Sequence, residues 1–245
     1  EELHRRLTRI IDQLRANGEW GETEEELARE RLFIASRVGL DNRLTIERNG
    51  VVEATGRHEE IAALVDHLPG INLVVLDPVA RFRSGEENSN DAATRFVEVV
   101  EGLRAQTGAT ILLPHHVSKD GLRASADHLS AEMLRGATAL VDGVRWVAAM
   151  ATLQKDAARE FGLEPEEAAR FVRLDAVKNN YAAPWEGLWL ERQPSGVLTP
   201  TTLERPQKER QAQKAEERYQ QILPALRGLI RQHQEKGDPL TPNRL

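Results

Sequence analysis

Ile71–Leu76 reads INLVVL and runs straight into Asp77-Pro78. Five of these six residues are apolar, two of them are adjacent valines, and no polar–apolar alternation interrupts them. A short apolar run of this kind reads as a strand buried on both faces, the signature of a parallel sheet with helices on each side. Working outward, residues 78–90 are polar and irregular, and Asp91–Gln106 carries apolar residues at helical spacing. Thr107-Gly108 is a helix stop, and Ala109–Leu113 (ATILL) is a second buried strand. Residues 71–113 are therefore expected to form a strand–helix–strand unit, and the chain an α/β fold with a mostly parallel sheet flanked by helices.

Before this unit, Leu3, Leu7, Ile10, Ile11 and Leu14 predict a helix over Glu1–Ala16 that Asn17-Gly18 ends. Thr23 with the acidic Glu24–Glu26 suits the start of a short helix. Leu32–Ala35 is apolar enough for a buried strand. Leu44–Arg48 and Val51–Ala54 flank Asn49-Gly50, the strongest short-range hairpin signal, and Glu59–Leu68 is again helical. After the unit, Val144–Leu153 and Phe171–Val177 are strand candidates around a short helix near Lys155–Phe161. Gly187–Glu191 and Gly196–Thr199 predict a final hairpin.

The 245 residues suffice for one large domain, expected over 1–203. Beyond Pro200 the composition shifts. Residues 201–245 hold nine basic and six acidic side chains, so this stretch is +3 within a chain of net charge −6. The stretch 204–245 is expected to be a helical linker and the start of a further module, with a solvated terminal helix as the plainer alternative. Glu1 opens on a helix already under way, and Thr241-Pro242 resembles a helix start, so both ends read as cut from something longer.

Composition excludes several classes. With no cysteine there is no disulfide scaffold, thiolate metal site or cysteine nucleophile. No apolar run approaches the roughly 20 residues of a membrane span. The acidic balance argues against a basic coat over the whole surface, while leaving room for a local basic loop.

Chemistry concentrates at strand ends. Ligands of open α/β sheets bind beyond the carboxyl ends of the strands. Asp77 stands at such an end, where a carboxylate can hold a hydrated Mg²⁺ against a nucleotide phosphate; the same Asp-Pro also suits a plain turn. His115-His116 follows the neighbouring strand, so the pair faces the same crevice. Neighbouring strand residues point to opposite faces, so one imidazole reaches the crevice. A metal pair is disfavoured because adjacent positions do not converge on one ion. The connection Val117–Ser130 is long and carries Lys119 and Arg123 among balanced charges, which suits a functional loop. Arg145-Trp146 follows Asp142-Gly143 at a strand entrance. Its guanidinium could serve as an arginine finger, but taken alone the position reads more simply as a stack on Trp146 or a pair with Asp142. Lys178, near a strand end, can supply charge to a phosphate or simply sit in a turn.

In combination these blocks resemble a known family. LVVLDPVARF (Leu73–Phe82), Glu86-Glu87-Asn88, LLPHHVSK (Leu112–Lys119), RGATALVDGVRW (Arg135–Trp146), FVRLDAVKNNYAAPW (Phe171–Trp185), GVLTP and TLER occur in this order. The set is similar to the RepA family of plasmid- and phage-encoded replicative helicases, RecA-type ring ATPases, over roughly residues 1–205. The resemblance implies a cytoplasmic homo-hexameric ring that uses ATP and Mg²⁺ at subunit interfaces and moves on single-stranded DNA. A replication initiator or primase is an implied partner, and a membrane is not. It further implies that Asp77 is the Walker-B magnesium ligand and that His115 and His116 are the sensor. Val117–Ser130, with Lys119 and Arg123, would be the DNA loop of the central channel. Arg145 would be the arginine finger, and Arg135 and Lys178 basic positions near the nucleotide. In the related DnaB-type helicases the finger lies in a Lys-x-Arg; here that place is Asn180, which favours Arg145.

One departure is large. No G-x-x-x-x-G-K-[ST] occurs, so the phosphate cradle, its lysine and the hydroxyl on Mg²⁺ are missing, and with them a central strand. The family's catalytic glutamate also lies upstream, and Glu86 and Glu87 follow Asp77 too distantly to replace it. The expectation is a helicase ATPase domain without its Walker A portion. The alternatives are a P-loop-less assembly or DNA-binding module, and a RecA-type ATPase with another task.

Overall fold

The computed structural model describes residues 2–86, 89–116, 129, 138–182, 187–206 and scattered positions between 216 and 231. Contacts group the chain into two units, Glu1–Gln154 with Ala169–Thr202, and Lys155–Ala168 with Leu203–Leu245. The second unit thus takes in a stretch to which the composition shift does not point.

In the first unit the elements run in order. Helices α1 (Glu2–Ala16) and α2 (Glu22–Arg31) are followed by strands β1 (Thr45–Arg48) and β2 (Val51–Ala54). Then come α3 (Arg57–His67), β3 (Leu73–Val75), α4 (Asn90–Thr107) and β4 (Thr110–Leu112). A short α5 (Thr138–Gly143) leads into β5 (Trp146–Thr152), β6 (Phe171–Asn179), β7 (Leu188–Arg192) and β8 (Leu198–Thr201). The α/β class expected from the sequence is the class observed.

Helix α4 organises the core. Ser89 caps it, its hydroxyl accepting from the Ala92 N–H at 3.2 Å, and Gly108 ends it in the left-handed conformation at φ 69°. Phe96, Val97, Val100 and Leu103 are buried on its inner face. That face packs with Leu44, Leu76, Val79 and Phe82, and with Val74, Ile111 and Leu113. Burying a side chain the size of Phe96 contributes about 1.5–3 kcal/mol. The β1–β2 hairpin forms as its Asn49-Gly50 demands, both residues having positive φ, 52° and 78°.

Three expectations need correction. The strand β3 is covered on one face only. Val74 and Leu76 turn to the α4 core, whereas Leu73 and Val75 are 52% and 48% exposed, and Leu112 on β4 is 41% exposed. The apolar run satisfies both faces, but only one helical layer covers this sheet among the described residues. Next, Leu32–Ala35 pairs with no strand among the described residues. Leu32, Phe33 and Ile34 are all about half exposed, because an apolar run becomes a strand only beside a partner edge.

Last, the described sheets are not mostly parallel. Only β3 and β4 pair in parallel, Leu73 opposite Thr110 and Val75 opposite Leu112. The hairpin β1–β2 and the four-stranded sheet β5-β6-β7-β8 are antiparallel throughout. The reason lies in the connections. α4 carries the chain back to the end at which β3 began, as a parallel crossover requires, whereas β7 and β8 are joined by the tight turn around Gly196, which can only reverse direction.

In the second unit, Ala158–Phe161 is a single 3₁₀ turn closed by Gly162 at φ 73°. The Arg205 guanidinium lies 4.8 Å from the Phe161 ring centre and pairs with Glu160 at 2.6 Å. No helix among the described residues is long and apolar enough to cross a membrane.

Candidate functional site

The parallel pair brings Asp77 and the histidines to one crest. Beyond the ladder, the Leu76 N–H donates to the Leu112 carbonyl at 3.0 Å, and the Val79 N–H to the Pro114 carbonyl at 2.9 Å. The two strand ends therefore stay side by side through Asp77 and up to His115. Alternation along β3 places Asp77 on the side of Leu73 and Val75, opposite the buried Leu76. Its carboxylate is exposed and takes no hydrogen bond or ion pair from the described residues. His115 is half-buried and His116 exposed, the split that alternation predicts for adjacent residues.

The loop after Asp77 is braced from behind. The Leu44 N–H donates to the Phe82 carbonyl at 2.7 Å, and the hydroxyl of fully buried Thr45 accepts from the Ser84 N–H at 3.3 Å. Arg83, 8% exposed, donates to the Glu86 carbonyl at 3.1 Å. Gly85 is required there: its φ is 88°, and a Cβ would lie 2.9 Å from the Ala92 Cβ. Glu86 itself is exposed, while Glu87 and Asn88 lie outside the described residues.

Arg145 stands at a second place, just before β5. It is exposed and its side chain makes no hydrogen bond, ion pair or ring contact with any described residue, so neither the stack on Trp146 nor the pair with Asp142 is formed. Its carbonyl accepts the Asn180 N–H at 3.1 Å. Lys178, on β6, is not open to solvent as a free charge. Its ammonium donates to the carbonyls of Val141 and Asp142 at 2.8 and 2.9 Å, at the carboxyl end of α5. Lys119, Arg123 and Arg135 lie outside the described residues, as does the loop 117–130 except Leu129.

Sequence reasoning passed over Asp175. It is 5% exposed on β6 and accepts the Leu129 N–H at 3.0 Å through Oδ2, while Oδ1 takes Arg173 Nε at 2.9 Å. Arg173 in turn lies 5.5 Å from the Trp189 ring centre. The available signal was a charged pair two residues apart in FVRLDAV, hence on one face of an otherwise apolar strand.

The arrangement fits one side of a magnesium–nucleotide site. A single exposed carboxylate at a strand end suits Mg²⁺, which completes its shell with phosphate oxygens and water. Among the described residues no group of three or more His, Asp or Glu side chains forms a protein-only metal cage. A recess of about 480 Å³ between α4 and α5 is lined by Thr94, Glu98, Glu101 and Asp142 among others. Its acidic wall repels phosphate, and Asp77, His115, His116 and Arg145 do not line it.

Comparison with known proteins adds a family likeness. The family model described as AAA domain matches residues 1–122. One solved ATPase domain superposes with a TM-score of 0.46 at 11% identity, covering 59% of this chain and 50% of that one. A DnaB-like replicative helicase, solved in a study of its interactions with primase, gives 0.46 at 10% identity, covering 58% and 34%. The chain spans about half and a third of the lengths of these two proteins. Over residues 1–122, which hold α1 through β4 and the Asp77–His115 crest, the chain is similar to the AAA domain family.

Proposed function

We propose that this chain is the later part of the ATPase domain of a RepA-like, ring-forming DNA helicase of plasmid or phage replication, with a RecA-like core. The observation that carries the reading is the crest itself: Asp77 and His115-His116 at the carboxyl ends of two hydrogen-bonded parallel strands. ATP with Mg²⁺ supplies the phosphoryl chemistry when bound. Asp77 would hold the metal, and one of the two histidines would sense the γ-phosphate by hydrogen bonding. Exposed, unpaired Arg145 would reach the nucleotide of a neighbouring subunit in a homo-hexamer and stabilise charge developing on the transferred group. Lys119 and Arg123 would contact single-stranded DNA in the channel, and Arg135 would add charge near the nucleotide. A primase or replication initiator is the implied protein partner, in a cytoplasmic setting.

The test uses the gene product with its native flanking sequence, given ATP, Mg²⁺ and forked DNA. Hydrolysis stimulated by single strands, together with unwinding, is expected. Asp77→Asn should lower kcat about 10²-fold, the usual cost of one preorganised electrostatic group. Full activity in that variant, or no nucleotide binding in the wild type, refutes the reading. DNA-stimulated hydrolysis without unwinding points instead to a RecA-type ATPase of another task.

One observation favours a second reading, a module that assembles or binds DNA without hydrolysis: the 245 residues contain no G-x-x-x-x-G-K-[ST]. A native product that folds, binds DNA and hydrolyses nothing would establish it.

A further inference from the structure

The segment from Leu129 to Arg145 leaves the candidate DNA loop and delivers the candidate finger. Strand β6 and Asn180, the residue just after it, hold the described part of that segment at three points. Asp175 takes the Leu129 N–H at 3.0 Å, Lys178 donates to the Val141 and Asp142 carbonyls, and the Asn180 N–H donates to the Arg145 carbonyl at 3.1 Å. Leu129 is also buried, against Ala149, Ala151 and Val177.

We propose that Lys178 is a positioning residue, whose ammonium fastens the carbonyl end of α5 to β6 and so sets where Arg145 enters β5. Three physical features support this. The last carbonyls of a helix have no intrahelical partner and carry the negative end of its dipole, so a lysine is the natural cap. Only Gly143 and Val144 separate these carbonyls from Arg145, too little chain to absorb movement.

The third is a bulge in the β5–β6 ladder. Val147 pairs with Lys178, but Ala148 pairs with Ala176, leaving Val177 opposite no residue. An inserted residue bends the strand and re-aims the side chains on either side of it. The bulge lies between Asp175 and Lys178, and both reach the same segment. The packing of α5 agrees: a Cβ on Gly143 would lie 2.6 Å from Val97 Cγ1, so α5 is packed against α4 and cannot slide toward it.

On this assignment Lys178 is not a phosphate ligand in the subunit that carries it. The consequence for catalysis holds only where Arg145 acts as proposed above; the fastening itself does not depend on it.

The experiment measures hydrogen exchange in the 245-residue chain for wild type, Lys178→Met and Lys178→Arg. Charge-assisted hydrogen bonds of this kind predict at least about tenfold faster exchange at the Val147 and Asn180 amides in Lys178→Met. Exchange in α4 should stay unchanged, and Lys178→Arg, which keeps charge and donors, should restore protection. Unchanged exchange at the Val147 and Asn180 amides in Lys178→Met overturns the proposal.

Should Lys178→Met fail to fold, acetylation of the wild type decides. Lys178 should react about tenfold more slowly than exposed Lys155, given its two charge-assisted bonds. Equal rates overturn the proposal. In the hydrolysing assembly, Lys178→Met should lower kcat and leave ATP affinity unchanged, whereas a direct phosphate ligand would show as lost affinity. An assembly with no hydrolysis at all defeats the functional reading, while the exchange data still decide the role of Lys178.

Discussion

Replacing Gly187 by alanine tests the sheet that carries both Asp175 and Lys178. An ideal Cβ at position 187 would overlap Oδ1 of Asp175 and lie 2.6 Å from its Cγ and 2.7 Å from the Leu174 carbonyl oxygen. The carbonyl belongs to a strand in register with its neighbour, Leu174 opposite Leu188, so the backbone cannot yield without opening the ladder. The Asp175 carboxylate must therefore swing out. That removes both Arg173 contacts, at 2.9 Å each, and the bond from the Leu129 N–H at 3.0 Å.

The pair is well shielded, its side chains 16% and 8% exposed. Breaking a buried ion pair costs about 3–5 kcal/mol, and leaving a buried N–H unpaired costs about 1–3 kcal/mol. One carboxylate serves both contacts, so the terms overlap and do not add. The expected loss is about 3–5 kcal/mol, a large share of the roughly 5–15 kcal/mol that holds a domain folded.

Urea denaturation of wild type, Gly187→Ala, Asp175→Ala and the double variant measures it. In the Asp175→Ala background the alanine meets only the Leu174 carbonyl, so its cost should fall, with a coupling of about 0.5–3 kcal/mol. A Gly187→Ala stability within about 0.5 kcal/mol of wild type, as for an ordinary surface change, or strict additivity in the double variant, would refute this reasoning.

Two other perturbations probe local structure. Ser89→Ala should cost about 1 kcal/mol in urea denaturation and speed hydrogen exchange at Ala92, because it removes the cap of α4; Ser89→Asp should recover most of it. Arg43, through its guanidinium and its backbone N–H, holds the Asp41 carboxyl well below the usual carboxylate range. A depressed folded-state pKa favours folding above the ordinary value near ~3.9 and loses that effect only as pH falls through the folded value. NMR titration should find Asp41 still ionised at about pH 3, below that ordinary value; a midpoint near ~4 would contradict the pairing.

Much of the candidate site was legible because its placement follows from local chemistry. Asp77 and His115-His116 each follow a short apolar run, and a strand–helix–strand unit brings the ends of its two strands together. Arg145 was legible as a cation at a strand entrance, though the residues alone favoured a stack on Trp146 or a pair with Asp142, neither of which forms. Lys178 shows the limit. Its charge and its place near a strand end were visible, but the carbonyls it holds lie 36 and 37 residues away in the chain. For Asp175 the pairing with Arg173, two residues away, was open to a spacing rule, but its second partner, the amide of Leu129, lies 46 residues away and no spacing rule connects them.

The sequence by itself determined what neighbours along the chain decide: the span of α1 to within a residue, the Asn49-Gly50 hairpin, the Gly108 end of α4, and the strand ends that carry Asp77 and the histidines. Backbone sterics and capping act over a few residues, so these features hold wherever the segment is placed. Tertiary structure alone decided that, among the described residues, β3 is bare on the side of Leu73 and Val75 and Leu32–Ala35 pairs with nothing, and that β6 holds Leu129 and the end of α5 that leads to Arg145. A face is covered, an edge paired or a charge partnered only by residues distant in the chain, and that pairing depends on packing, not on the residue's own propensity.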